Sequence, residues 1–289
     1  MRVAVIGAGK MGRWFTKYFL NEGFSVVVSN RTRNKAETLG VEFGVDVARS
    51  SVEALDGADW IFLCVSLDAL DSVLGEIGSH VDSDQVVMDI SSIKQIPVNL
   101  LHNHVEHGII LGTHPVFGPG AKSLKGQNFV LTPVKKEEQR FANEFRNWLE
   151  SRGSIVSVLS PKKHDELMSL VLGFPHFVGL VAGDTLADNP NFVAAKEVSG
   201  ATYKLLLTLV ESVSSEEPIF YSDLHMSLPE MEKIENLFLH KVEEWLSAVK
   251  EKNRLKFSCK MKDVKKRLKE LDPKYEKAYN IMYRILDES

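Results

Sequence analysis

The stretch VAVIGAGKMG, residues 3–12, runs from an apolar segment straight into three glycines spaced G-x-G-x-x-G: Gly7, Gly9 and Gly12. Residues 11–21 then carry a helical apolar period, and residues 25–29 (SVVVS) read as a second strand. Strand, glycine turn, helix and strand in that order make the first half of a dinucleotide-binding unit. Gly7 serves the tight turn, Gly9 the close approach of a pyrophosphate, and Gly12 the packing of helix on sheet. The helix that opens at Lys10 and Met11 offers free N–H groups and a partial positive charge to the phosphates. The second strand ends in Asn30-Arg31-Thr32, with no acid to hold a ribose 2′-hydroxyl as NAD-selective sites do. Arg31 suits a 2′-phosphate instead, so NADP is expected ahead of NAD. Val65, Ser66 and Ser91, at the ends of later strands, complete the expected cofactor site.

Working outward, short apolar runs at 2–6, 25–29, 60–65, 86–90, 109–113, 129–132 and 155–159 read as strands, with a short one near 45–47. Helical patterns lie between them at 11–21, 33–39, 67–77 and 137–152. This alternation predicts a Rossmann-type doubly wound α/β sheet, parallel and covered by helices. At Ser160-Pro161, an N-cap followed by a first-turn proline, the character changes. Helical patterns at 164–172, 177–186, 194–211, 217–222, 228–251, 261–271 and 275–287 follow without an evident strand. We therefore expect residues 1–160 to form the nucleotide-binding domain and 161–289 an all-α C-terminal domain. The stripes Leu205, Leu209 and Val213, and Leu237, Lys241 and Trp245, suggest a homodimer formed through that second domain.

Bulk properties narrow the function. A length of 289 residues fits two domains of about 100–200 residues each. A net charge of −4 with no basic block gives no footprint for nucleic acid. Two distant cysteines, Cys64 and Cys259, make neither a disulfide framework nor a metal site, and a reducing cytoplasm fits. No unbroken apolar run approaches the roughly 20 residues of a membrane span. The expectation is a cytoplasmic protein acting on a small molecule, with no membrane or nucleic-acid partner.

Chemistry concentrates in three later segments. Residues 89–94 read DISSIK, residues 114–119 read HPVFGP, and residues 164–168 read HDELM, with His176 twelve positions after His164. Pro115 biases the backbone of His114 towards extended geometry, so a strand ends on a histidine held in one conformation. Following a nicotinamide domain in this order, the segments resemble the prephenate dehydrogenase family, which includes arogenate dehydrogenases. That family carries D-x-x-S-x-K, H-P-M-F-G-P and H-D-x-x-M…H-F. The resemblance implies NAD(P)-dependent oxidative decarboxylation of prephenate or arogenate: hydride leaves the ring, CO2 is lost and the ring aromatises. It implies His114 as the base for the ring hydroxyl, Ser92 as its hydrogen-bonding partner, and His176 and Gly118 near the substrate. It also implies subunits that pair through the helical region. Twelve residues of straight helix span roughly 18 Å, so His164 and His176 do not share one substrate; His164 is read as structural, serving the helix start.

One departure stands out. Where the family places a carboxylate-binding arginine, this chain has Ser212, leaving Lys204, or Lys122 and Lys125 in the loop after HPVFGP, to meet the substrate's charge. Two other readings stay open at this point. A reductase of the β-hydroxyacid dehydrogenase type would need a lysine–asparagine helix, and the one around Lys204 lacks the asparagine. A module that binds NADP without turnover would have no use for His114, Ser92 and His176.

Overall fold

The structure, a computed structural model, describes residues 1–287. Two compact units divide the chain, Met1–Met168 and Ser169–Ser289. The first contains β1 (Arg2–Ile6), α1 (Lys10–Asn21), β2 (Ser25–Ser29), α2 (Arg33–Phe43), β3 (Asp46–Val47), β4 (Trp60–Leu63), α3 (Leu67–Ile77) and β5 (Val86–Asp89). It continues with α4 (Gln95–His104), β6 (Ile109–Pro115), β7 (Asn128–Thr132), α5 (Lys136–Glu150), β8 (Ile155–Val158) and α6 (Pro161–Met168). The change of character at Ser160 thus falls one helix ahead of the division between units.

The eight strands lie in the order β3-β2-β1-β4-β5-β6-β7-β8. β1 to β6 are mutually parallel, as the alternating pattern implies. The departure is β7, which runs antiparallel to β6, with β8 parallel to it. The chain between β6 and β7 contains no helix. A return to the same end of the sheet needs a crossover of a dozen or more residues, usually helical, so this loop turns the chain back.

Each face of the sheet is covered. On one, α1 buries Phe15 and Phe19 and α5 buries Phe141, Phe145 and Leu149, against Phe62 and Phe129. Trp60 and Trp148 pack edge to face in the same cluster, with ring centroids 5.4 Å apart. On the other, Leu70, Leu74 and Leu101 cover Ile6, Ile61, Leu63 and Val87. Burial of each such side chain contributes about 1.5–3 kcal/mol. Helix α4 was not expected: Pro97 looks like a helix breaker, yet it falls in the first turn, where its missing N–H has no intrahelical partner to lose.

The second unit is helical: a π-helical turn (Ser169–Gly173), then α7 (Phe174–Ala187), α8 (Phe192–Glu197), α9 (Ala201–Ser214), α10 (Pro218–Ser227), α11 (Met231–Lys250), α12 (Arg254–Leu271) and α13 (Ala278–Asp287). The helix expected at 194–211 is two helices, because Gly200 takes the N-cap position of α9 in extended geometry. The α9 stripe is partly covered inside its own unit: Val213 and Leu209 face Gly179 of α7, where a Cβ would lie 3.1 Å from Val213 Cγ2. One correction concerns membranes. The helical run Pro161–Ala187 is long and apolar enough by length and composition to cross a bilayer. Polar residues punctuate it, Lys162 to Glu166 at its start and Ser169 and His176 within it, so no unbroken apolar stretch of that length occurs there; a core or interface helix has the same composition.

The glycine turn is fixed by contact. Gly7 adopts φ +111°, and a Cβ on Gly12 would stand 1.8 Å from Gly7 O. Gly12→Ala must displace backbone, so a loss of about 1–3 kcal/mol or more, the scale of core overpacking, is expected in thermal melts of the free protein. An unchanged melting temperature would show that the turn yields.

Candidate active site

The parallel strands align their carboxyl ends. Ile6 pairs with Leu63, Leu63 with Asp89, and Asp89 with Gly112, making one row across β1, β4, β5 and β6. Gly7, Val65, Ser91, Ser92 and His114 all lie just beyond that row, along the edge where open α/β sheets bind their ligands.

At the β1 end is a cavity of about 450 Å³ lined by Gly7, Gly9, Asn30, Arg31, Thr32, Val65 and Ser66. Lys10, Met11, Gly12 and Ser91, also expected at the cofactor, do not line it; Gly12 is spent on packing and Ser91 N–H donates to Asp89 Oδ2 at 2.9 Å. A Cβ on Gly9 would meet nothing within 4 Å, so the backbone there borders open space of the kind a pyrophosphate can fill. Asn30 ties the turn in place, its Oδ1 accepting from Ala8 N–H at 2.9 Å and its Nδ2 donating to Thr32 O at 2.9 Å. Lys35 and Arg49 line the same cavity beside Arg31, two cations the sequence reading did not include. The Cys64 thiol, also in the lining, is pushed up by burial and then by Asp89, so it stays protonated.

At the β6 end, His114 is 3% exposed and sits within the strand, paired with Val130, rather than beyond it. Its Nδ1 lies 2.8 Å from Nε2 of His164, and His164 Nδ1 lies 2.7 Å from Asp165 Oδ1. The partner at Nδ1 is therefore His164 of α6 and not Ser92. His164 is fully buried against the strand, so it does not serve the helix start as expected. Asp165 accepts from Lys94 N–H at 2.7 Å and Gln95 N–H at 2.9 Å, capping the start of α4 from another helix. Lys94, 0% exposed, donates its ammonium to Asp89 and to Thr113 O. Burial, then the neighbouring His164 ring and the Lys94 ammonium, hold His114 well below the usual histidine value, so it is neutral near pH 7. Burial also lowers His164, against the opposing hydrogen bond to Asp165. Burial raises Asp165, but its bonds from His164, Gln95 and Lys94 outweigh this and keep it ionised. The loop after His114 is anchored too: Trp14 Nε1–H donates to Ala121 O at 2.6 Å, and its ring packs at a tilt against Phe117 with centroids 5.0 Å apart, exposed Gly118 lying between the two contacts.

Two sequence models of one family match along the chain. The prephenate dehydrogenase nucleotide-binding domain matches residues 15–158, and the prephenate dehydrogenase dimerization domain matches residues 160–263. The chain belongs to the prephenate dehydrogenase family. A probable arogenate/prephenate dehydrogenase of Methanocaldococcus jannaschii is 32% identical over 92% of this chain; the chain spans 60% of that relative's length. Arogenate dehydrogenase 2 of Arabidopsis thaliana is 26% identical over 82% of the chain and 67% of its own length. A prephenate dehydrogenase of Aquifex aeolicus, solved with hydroxyphenyl propionate and NAD+, has the same fold: TM-score 0.77 at 21% identity, covering 94% of this chain and 98% of that one.

In this family member, the second unit holds the remaining expected residues. His176, on α7, packs edge to face on Tyr221 with centroids 4.6 Å apart, and burial, then His225, lowers its pKa to about 4. Its Nδ1 is buried without a hydrogen-bonding partner. Ser212 turns its hydroxyl back to Leu209 O at 2.9 Å, and Lys204 on the same helix is exposed, as are Lys122 and Lys125 of the first unit.

Lys94→Met leaves Asp89 as a buried carboxylate without its cation, which should cost about 3–5 kcal/mol in urea unfolding. The double variant with Asp89→Asn should recover part of that loss. Equal stability of the single variant and the parent would dismiss the buried pair as the fastener of this region.

Proposed function

We propose that the chain catalyses NADP-preferring oxidative decarboxylation of prephenate to 4-hydroxyphenylpyruvate, in aromatic amino acid biosynthesis. The observation that carries the reading is a buried, neutral His114 on the same sheet edge as the glycine turn and its cavity. A neutral imidazole can take the ring hydroxyl's proton as the carbonyl forms, while burial keeps water from competing. Bound NADP+ supplies the hydride acceptor, and aromatisation with loss of CO2 supplies the driving force. Gly7 and Gly9 would admit the pyrophosphate, and Asn30 would hold the turn that presents them. Arg31, Lys35 and Arg49 offer three cations to a 2′-phosphate, which supports NADP over NAD. A relative from Schizosaccharomyces pombe, 24% identical, is named a probable prephenate dehydrogenase of the NADP+ type, which points the same way. Arogenate, differing only in its side-chain amine, is the second reading, supported by the relatives named for it.

The deciding experiment is an assay of nicotinamide reduction with prephenate and arogenate, each with NADP+ and NAD+. We expect turnover with prephenate and a higher kcat/KM with NADP+, weakened by Arg31→Asp by a few kcal/mol at most. Reduction with neither cyclohexadienol would end the dehydrogenase reading; a kcat/KM with NAD+ that matches or exceeds the NADP+ value would end the cofactor preference alone.

The second unit is proposed to pair two copies of the chain. Its match to the family's dimerization domain supports this, as do exposed apolar side chains including Leu180, Val181, Leu206, Leu237 and Leu246. Stable pairing of this kind covers roughly 2,000 Å² or more. Light scattering at low micromolar concentration should give twice the 32.4 kDa chain mass, and a persistent single-chain mass would remove the pair.

A further inference from the structure

We propose that His164 and Asp165 form a buried relay that fixes His114 as its Nδ1-protonated tautomer, leaving Nε2 bare as the base for the substrate hydroxyl. The proposal rests on the dehydrogenase reading for the identity of that hydroxyl, but the proton order follows from geometry alone. Asp165 receives the backbone N–H groups of Lys94 and Gln95 at 2.7 and 2.9 Å, so its carboxylate is an acceptor with both oxygens engaged. Nδ1 of His164, 2.7 Å from Oδ1, must therefore carry a hydrogen. A neutral imidazole has only one, so His164 Nε2 holds a lone pair. Nδ1 of His114, 2.8 Å from that lone pair, must then donate to it. His114 is neutral in turn, and its second nitrogen, Nε2, is left as an acceptor.

The reverse order fails. If His114 Nδ1 accepted, His164 would have to donate from both nitrogens and become an imidazolium. That cation would be fully buried in the same cluster as the Lys94 ammonium. Only one arrangement satisfies every group in the chain. In the proposed reaction the hydroxyl O–H bond would break with its proton passing to His114 Nε2, and a nicotinamide held at the glycine turn would supply the acceptor for the hydride and its electron pair. His114 then carries the positive charge, and Asp165 faces it through one neutral ring. His164 and Asp165 are positioning residues; neither is required to touch substrate.

Two measurements test this. In the full chain with labelled histidines and NADP+ bound, 15N spectra should show His114 with a protonated Nδ1 and an unprotonated Nε2, assigned by the signals lost in His114→Asn. Asp165→Asn should reduce kcat on the order of 10²–10⁴-fold, the effect of a positioned base left in the wrong tautomer, with KM and cofactor affinity nearly unchanged. His164→Gln, whose amide oxygen can still accept from Nδ1–H, should retain more kcat than His164→Leu. An Nε2-protonated His114 in the parent chain overturns the relay, as does Asp165→Asn with parental kcat. Should that variant fail to fold, the parental spectrum alone decides. A chain that turns over no cyclohexadienol would defeat the dehydrogenase reading while leaving the tautomer to stand or fall by its spectrum.

Discussion

The ammonium of Lys94 has no water to solvate it, and the arrangement of the reactive edge follows from that constraint. An unpaired buried cation costs far more than a domain can spare, so the charge is met by Asp89 from the end of β5 and by the carbonyl of Thr113 from β6. Those two contacts lock the turn holding Ser91 and Ser92 to the strand that presents His114. The same residue's N–H, at the start of α4, is capped by Asp165 of α6. One lysine thus joins two strands and two helices.

The fold was legible where its requirements are local. Three glycines with a fixed spacing need no distant partner to be read, and their contacts agree with the roles the spacing implies: Gly12 against Gly7 O, Gly9 against open space. The six parallel strands follow from apolar runs separated by helical patterns. The antiparallel β7 was not legible, because direction depends on whether a connection carries a crossover helix and not on the strand's own residues. Helix α4 stayed hidden because Pro97 reads as a breaker unless the helix start is already known, and its buried face is only Pro97, Val98 and Leu101.

The reactive edge was legible in its members and less so in its wiring. His114, Ser92 and the 164–168 segment all drew notice by motif. The distance along one helix from His164 to His176 suggested a structural part for His164, yet its partner is a strand residue fifty positions earlier. Sequence spacing constrains what two residues on one element can share; it says nothing about what either meets across the fold. Arg49 and Lys35 escaped for a similar reason: each lies beyond the strand-end tripeptide where the cofactor signal is conventionally read, and the cavity gathers them by folding.

The spacing of charge explains why a second histidine should stand between His114 and Asp165. A base must be neutral before reaction and tolerate positive charge during it. A carboxylate directly on His114, about 4 Å from its charge, would favour the protonated ring by about 4 kcal/mol at an effective dielectric of 20. Interposing a neutral ring roughly doubles the separation and roughly halves that attraction. Burial and the nearby Lys94 then win in the resting state, which agrees with the depressed pKa of His114. In the proposed reaction, a proton reaching Nε2 would still feel the carboxylate across the intervening imidazole, inside a buried site. On the proposed roles, the interposed ring would separate readiness from stabilisation: burial and Lys94 would set the first, Asp165 the second.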